Sequence, residues 1–410
     1  MFYTGDPPPA RLSCGAMTSL ALDPARLARD VDDLAPALHD VSAKIHAHPE
    51  LRFEEHRAAA WLTEAAEQAG VTVERGLGGM PTAFRARLGD GTGPRIAILA
   101  EYDALPEIGH ACGHNLIAAG ALGAFLALAR QREALGGTVD LVGTPAEEGG
   151  GGKIKLLRAG AFEGVDAAMM FHPFDRDLLA HLTLAAMWVE MRFRGTPSHA
   201  ALAPWEGQSA LTACLETFRL VDSQRIHFRD GVRVHGWVTN GGQAVNIIPE
   251  LASAEFAVRA KDDTELSRVR AIVERCARGA ALACGVEVEL VAREGYRDMV
   301  NNLTMARRFG VHLEGLGRRP AETDDTVGAG STDMGDVSHA VPSIHPWMAI
   351  CEKGETTCHQ HAFAVCAGSE RGQVGMLAAA KAMALTAAEL LEDAELLGAV
   401  RREFEDRKRR

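Results

Sequence analysis

Cys112 and His114 stand two residues apart in the segment Gly109-His110-Ala111-Cys112-Gly113-His114-Asn115. A thiolate and an imidazole suit zinc and neighbouring transition metals, although the triplet alone also reads as a tight glycine turn with an incidental thiol. Just upstream, Ala100-Glu101-Tyr102-Asp103 closes an apolar run. Glu147 and Glu148 follow a second such run in Gly143-Thr144-Pro145-Ala146-Glu147-Glu148-Gly149. Adjacent carboxylates on a strand-to-loop turn can divide labour, one binding a cation and the other taking a proton from the cation's water; an isolated pair is otherwise a solvated turn. His172 closes the run Met169-Met170-Phe171, and His359 and His361 lie in Thr357-Cys358-His359-Gln360-His361. A lone histidine at a strand end is more often structural than a ligand, so His172 counts only in company with the other groups. His199 and Asn246 occupy turns marked by Gly and Pro; they serve as plain turn residues or as donors to an oxyanion.

These groups need a scaffold that gathers them. Apolar residues recurring every three or four positions predict helices over residues 24–47 and 54–69, each starting near an acidic residue. Short apolar runs predict strands at 82–88, 95–100, 139–142 and 167–171, with an Ala-rich helix at 115–132 among them. Strands alternating with helices imply an α/β unit with a mixed, mostly parallel sheet flanked by helices. In such sheets functional groups collect beyond the carboxyl ends of the strands, where Asp103 and Glu147 would fall. The pattern then changes to strands at 185–193, 232–238 and 252–258 interleaved with helices at 208–223 and 263–284. Strand, helix, two strands, helix, strand is the ferredoxin-like α+β order, expected here as an inserted lid over 185–294. A helix at 302–315, a strand at 348–351 and one long closing helix at 368–405 return to the first unit, giving a catalytic domain over 23–184 and 295–410.

A chain of 410 residues exceeds what one core usually serves. The net charge of -12 argues against a nucleic-acid binder, which needs basic stripes, and no apolar run reaches the roughly 18 residues of a membrane span. Residues 1–22, with Pro7, Pro8 and Pro9, read as a disordered extension in which Met17 is an alternative start. Eight cysteines without regular spacing or an export signal favour reduced thiols in the cytoplasm.

Taken together and in this order, the segments from about Leu27 onward resemble the zinc aminoacylase, glutamate carboxypeptidase and peptidase-T-like metallopeptidases. Within that family the resemblance is to the amidohydrolase branch of auxin-conjugate hydrolases, the p-aminobenzoyl-glutamate hydrolase B chain and β-alanyl-lysine dipeptidase. It implies one or two divalent ions held by Cys112 as bridging ligand with His114, Glu148, His172 and His359. Glu147 then matches the general base and Asp103 the carboxylate that steadies the ligands from behind. His199 matches a lid histidine that reaches into the partner's active site in a homodimer, Asn246 a substrate contact, and Arg259 a grip on a substrate carboxylate. Many members have histidine where this chain has Glu101 and a bridging aspartate where it has Cys112. The thiolate favours zinc, while the other donors also suit manganese or cobalt. His361 competes with His359, whose spacing to Phe363 fits better.

The implied reaction is cleavage of the amide of a small N-acyl amino acid or dipeptide, such as a β-alanyl dipeptide or p-aminobenzoyl-glutamate. Two readings compete with it: a metal-binding regulatory or scaffold homologue without hydrolysis, against which the Glu147–Glu148 pair argues, and a cysteine hydrolase built on Cys112.

Overall fold

The computed structural model describes residues 21–409; the extension expected over 1–22 lies almost wholly outside them. Asp23 accepts a hydrogen bond from Arg26 N and, with Pro24 in the first turn, starts α1 (Pro24–Ala47), followed by α2 (His56–Gln68). The short strand β1 (Val73–Arg75), too brief to show a period, precedes β2 (Phe84–Leu88), β3 (Arg95–Ala100), α3 (His114–Ala129), β4 (Thr138–Gly143), α4 (Gly152–Arg158) and β5 (Ala167–Met169). The main sheet runs β1-β2-β4-β3-β5-β11, where β11 is Ser343–Ile344. β4, β3, β5 and β11 are mutually parallel, and β2 and β1 add on antiparallel. This is the mixed, mostly parallel sheet expected.

Every residue of α3 is buried, as befits a helix apolar all round. It lies between the sheet and two helices, α1 and α10 (Glu370–Glu392). Its small residues permit that approach: a Cβ on Gly120 would stand 2.6 Å from the Phe171 ring, and one on Gly123 equally close to Leu38.

The strand expected over 167–171 is shorter. β5 stops at Met169, and His172 instead opens a separate strand, β6 (His172–Phe174), which pairs in parallel with β12 (Trp347–Ala349). The two-residue break re-aims His172, which sequence periodicity could not show.

The second unit has β7 (Ala185–Arg194), α5 (Ala210–Ser223), β8 (Arg233–Asn240), β9 (Leu251–Ala260), α6 (Asp263–Cys284) and β10 (Glu287–Tyr296). Its sheet is antiparallel in the order β10-β7-β9-β8, the ferredoxin-like arrangement. Val189, Met191, Phe193, Phe256 and Val258 face Val269 and Val273 of α6 in a core separate from that under the main sheet.

The remaining helices are α7 (Leu303–Gly315), α8 (Met334–Ala340), α9 (His361–Ala367), α10 (Glu370–Glu392) and α11 (Ala394–Lys408). α10 is long and apolar enough to cross a membrane, yet it is largely buried against α1, α3 and α7. The single closing helix expected over 368–405 is in fact α10 and α11, separated at Asp393. Asp393 is extended (φ -101°, ψ 94°), and its carboxylate accepts from Leu396 N, so a residue that looks helical in composition caps a new helix. Asp393→Ala is expected to lower stability by about 1 kcal/mol, measured by urea denaturation; unchanged stability would show that the break does not depend on the cap.

Candidate metal centre

The parallel strands β3 and β4 end side by side at Ala100 and Gly143, tied by Thr144 N and Oγ1, which both donate to Ala100 O (2.7 and 3.0 Å). Glu101 and Asp103 leave the first strand end, Glu147 and Glu148 the second. Cys112 and His114 come from the start of α3. There Gly113 takes a left-handed φ of 78° against Pro173, where a Cβ would be 2.8 Å from the ring. Two non-glycine residues, Ala146 (φ 61°) and His359 (φ 68°), are also left-handed, a conformation that persists only where surrounding structure enforces it.

His114 is fully buried, and its Nδ1 lies 2.9 Å from Asp103 O and 3.2 Å from Asp103 Oδ1. Asp103 Oδ2 accepts from Glu148 N at 2.9 Å, so one carboxylate orients two neighbours. His114 Nε2 lies 3.3 Å from Glu101 Oε1, and His359 Nε2 lies 3.2 Å from Glu148 Oε1. Glu101 Oε1, His114 Nε2 and Glu148 Oε1 are nevertheless buried without a hydrogen-bond partner. Lone pairs that crowd together unaligned are those of ligands aimed at a common point. His172 donates Nδ1 to Pro173 O (2.8 Å), which leaves Nε2 facing Cys112 Sγ at 3.5 Å. Donor atoms of Cys112, Glu148 and His359 lie within 4.8 Å of one another, as do those of Glu101, His114 and His172, and those of His114, Glu147 and Glu148. Thiolate, imidazole and carboxylate in this mixture fit a divalent cation.

All five ligands expected from the sequence therefore converge, with His359 rather than His361 facing Glu148; His361 begins α9, exposed. Arg259 reaches the same cleft and donates Nη1 to Ser331 Oγ at 2.9 Å. The cleft holds about 580 Å³ and is walled by Phe174, Trp188, Tyr296 and Trp347. His199 and Asn246 do not line it. Both are exposed in the second unit, joined through Ala200 N to Asn246 O at 3.0 Å, with His199 Nδ1 accepting from Ala201 N and Leu202 N.

Burial, then the charges of Glu148 and Glu101, push the Glu147 carboxyl well above its usual range. Tyr296 of β10 donates its hydroxyl to Glu147 O at 2.9 Å. Burial lowers His172 to about 4, so its imidazole is neutral, as a ligand must be. Contact with Cys358, then burial, pushes the Cys112 thiol well above its ordinary range.

Several participants were not singled out from the sequence. Lys153 is fully buried, and its Nζ donates to Glu101 Oε2 (2.5 Å) and Asp333 Oδ1 (2.7 Å), while its backbone N donates to Asp333 Oδ2. Burial opposes its charge, but Asp333 and Glu101 outweigh that and raise its pKa. The four glycines before Lys153, directly after Glu148, were a signal; Asp333 had none. Glu55 is the other. Its buried carboxylate accepts from Phe53 N (2.8 Å), Ala146 N (2.9 Å) and Thr82 Oγ1 (2.9 Å), and so holds the left-handed residue that precedes Glu147.

The sequence pattern of Peptidase family M20/M25/M40 matches residues 97–367, more than half of the chain. The chain belongs to this family. It is 38% identical over 413 residues to the Xaa-Arg dipeptidase of Mus musculus, covering 97% of this chain and 95% of that one. It is 31% identical to the B chain of p-aminobenzoyl-glutamate hydrolase from Escherichia coli K12, covering 87% and 90%. Among solved structures, a dinuclear metal-binding M20 peptidase from Bacillus subtilis superposes with a TM-score of 0.70 at 23% identity, over 88% of this chain and 99% of that one. As an M20 protein the chain is a metal-dependent hydrolase of amide bonds, and its hydrolase relatives give no support to the scaffold reading.

Glu55 yields a pH test. Burial, reinforced by the charge of Asp103, raises its pKa from 4.5 to about 7 despite its hydrogen bonds. The folded carboxyl thus holds its proton more tightly than the unfolded one. Its contribution to stability is complete below pH 4.5 and is lost as pH rises through about 7. Glu55→Gln cannot lose that proton, so relative to wild type it is expected to gain on the order of 2–3 kcal/mol between about pH 5 and about pH 8. Urea denaturation of both proteins at the two pH values checks this; a constant difference would contradict it.

Proposed function

We propose that this M20 hydrolase cleaves the amide of a dipeptide or N-acyl amino acid with a free terminal carboxylate, using Glu147 as general base. The observation that carries the proposal is the buried Glu147 carboxylate beside the convergent donors of Cys112, His114, Glu148, His172 and His359, on the floor of a cleft that also contains Arg259. The names of the mouse and Escherichia coli relatives describe such substrates, an Xaa-Arg dipeptide and p-aminobenzoyl-glutamate. The cleft suits a molecule of that size.

We assign Cys112, His114, Glu148, His172 and His359 as ligands of one or two ions, zinc by preference because of the thiolate. A divalent cation bound there acidifies water and polarises the scissile carbonyl. Glu147 takes the proton of the attacking water and returns it to the leaving amine as the C–N bond breaks. Asp103 fixes the His114 ring and the Glu148 backbone, and the Arg259 guanidinium pairs with the substrate carboxylate. A thiol ligand at Cys112 favours a reducing setting such as the cytoplasm.

His199 and Asn246 are exposed and do not line their own cleft, and we place them in the partner's cleft, in a homodimer. There they donate to the oxyanion that develops on the carbonyl.

Glu147→Gln is expected to lower kcat by roughly 10²–10⁴-fold or more without changing metal content. A panel of Xaa-Arg dipeptides, β-alanyl dipeptides, N-acetyl amino acids and p-aminobenzoyl-glutamate measures it; turnover within about tenfold of wild type would remove Glu147 from its role. Mixing Glu147→Gln protomers with His199→Ala protomers, each inactive alone, is expected to restore activity at sites that combine an intact Glu147 with the partner's intact His199. No recovery in an exchanged dimer would overturn the placement in trans.

A further inference from the structure

Beyond the five assigned donors, the cleft holds a second thiol. Cys358 Sγ lies within 4.8 Å of both Cys112 Sγ and the His172 donor atom. Besides its contact with Cys112, it donates weakly to Pro173 O at 3.9 Å. Cys358 and His359 are consecutive, and consecutive side chains of extended chain point in opposite directions. The left-handed turn at His359 (φ 68°) breaks that rule, and both residues line the same cleft. The bland account is a half-buried cysteine used as a small hydrophobe against Phe174 and Trp347. That account explains the packing of its Cβ but not a sulfur brought beside another sulfur and an imidazole whose far nitrogen is already committed to Pro173 O.

We infer that Cys358 is a further ligand of the metal centre, which would hold an ion together with Cys112 and His172. The inference rests on the metal-centre reading above and deepens it. Two thiolates on one ion form a soft site. Such a site takes zinc or cadmium in preference to manganese, whereas the remaining carboxylate and imidazole donors discriminate much less. Cys358 thereby sets which cation the centre accepts.

The test uses the full-length protein, stripped of metal under reducing conditions and titrated with one equivalent of cadmium. Sulfur-to-cadmium charge-transfer absorption reports thiolates on the ion. The expected result is that Cys358→Ser and Cys112→Ser each keep about half of the wild-type absorption and the double variant keeps none, because each thiolate contributes its own band. Competition between manganese and zinc should also shift toward manganese in Cys358→Ser. Equal absorption in wild type and Cys358→Ser, with none in Cys112→Ser, would overturn the role of Cys358 and leave the metal centre standing. Absence of cadmium binding by the wild type would overturn both. X-ray absorption of the wild-type protein with one equivalent of zinc needs no substitution: two sulfur neighbours support the inference and a single one rejects it.

Discussion

Carboxylates of Glu101, Asp103, Glu147, Glu148 and Asp333 gather, buried or nearly so, around one centre, and such a gathering folds only if positive charge is folded in with it. Part of that charge is the ammonium of Lys153, held between Glu101 and Asp333. With burial opposing it, Lys153 together with His114 still keeps the Glu101 carboxyl ionised, at about 2. The rest is left to a cation. The same crowding that leaves room for an ion also pushes the Glu147 carboxyl well above its ordinary range.

The scaffold enforces this crowding through short, over-determined connections. Two adjacent parallel strands stop at the same level, so that the acidic groups after Ala100 and Gly143 meet. Glu55 pins the turn before Glu147, and Asp103 pins His114 and Glu148. Left-handed backbone at Ala146 and His359 is the local cost of aiming side chains where the chain would not otherwise send them. The ferredoxin-like unit adds Tyr296 and Arg259 from its own strands to the cleft, Tyr296 bonding the Glu147 backbone and Arg259 bonding Ser331.

How much of this could be read beforehand depended on whether the information was local. α1 and α6 begin at the residues expected because Asp23 and Asp262 cap them, and β3 ends where its apolar run ends. The donors Cys112, His114, Glu148, His172 and His359 were legible as residue types in order. What was not legible was non-local: the break that sends His172 into a second small sheet, the cap that divides α10 from α11, and the pairing of Lys153 with Asp333 across 180 positions. In the sequence, Glu101 stands in an acidic strand end and departs from the family's histidine. Its significance appears once Lys153 is seen beside it.

The centre also has an inner and an outer wall. Cys112 and His114 are carried by α3, which cannot slide, because Gly120 and Gly123 are wedged against Phe171 and Leu38. His359 stands opposite on a surface segment with more than half of its side chain in solvent. An ion held there would therefore meet solvent on the His359 side, with the packed helix at its back.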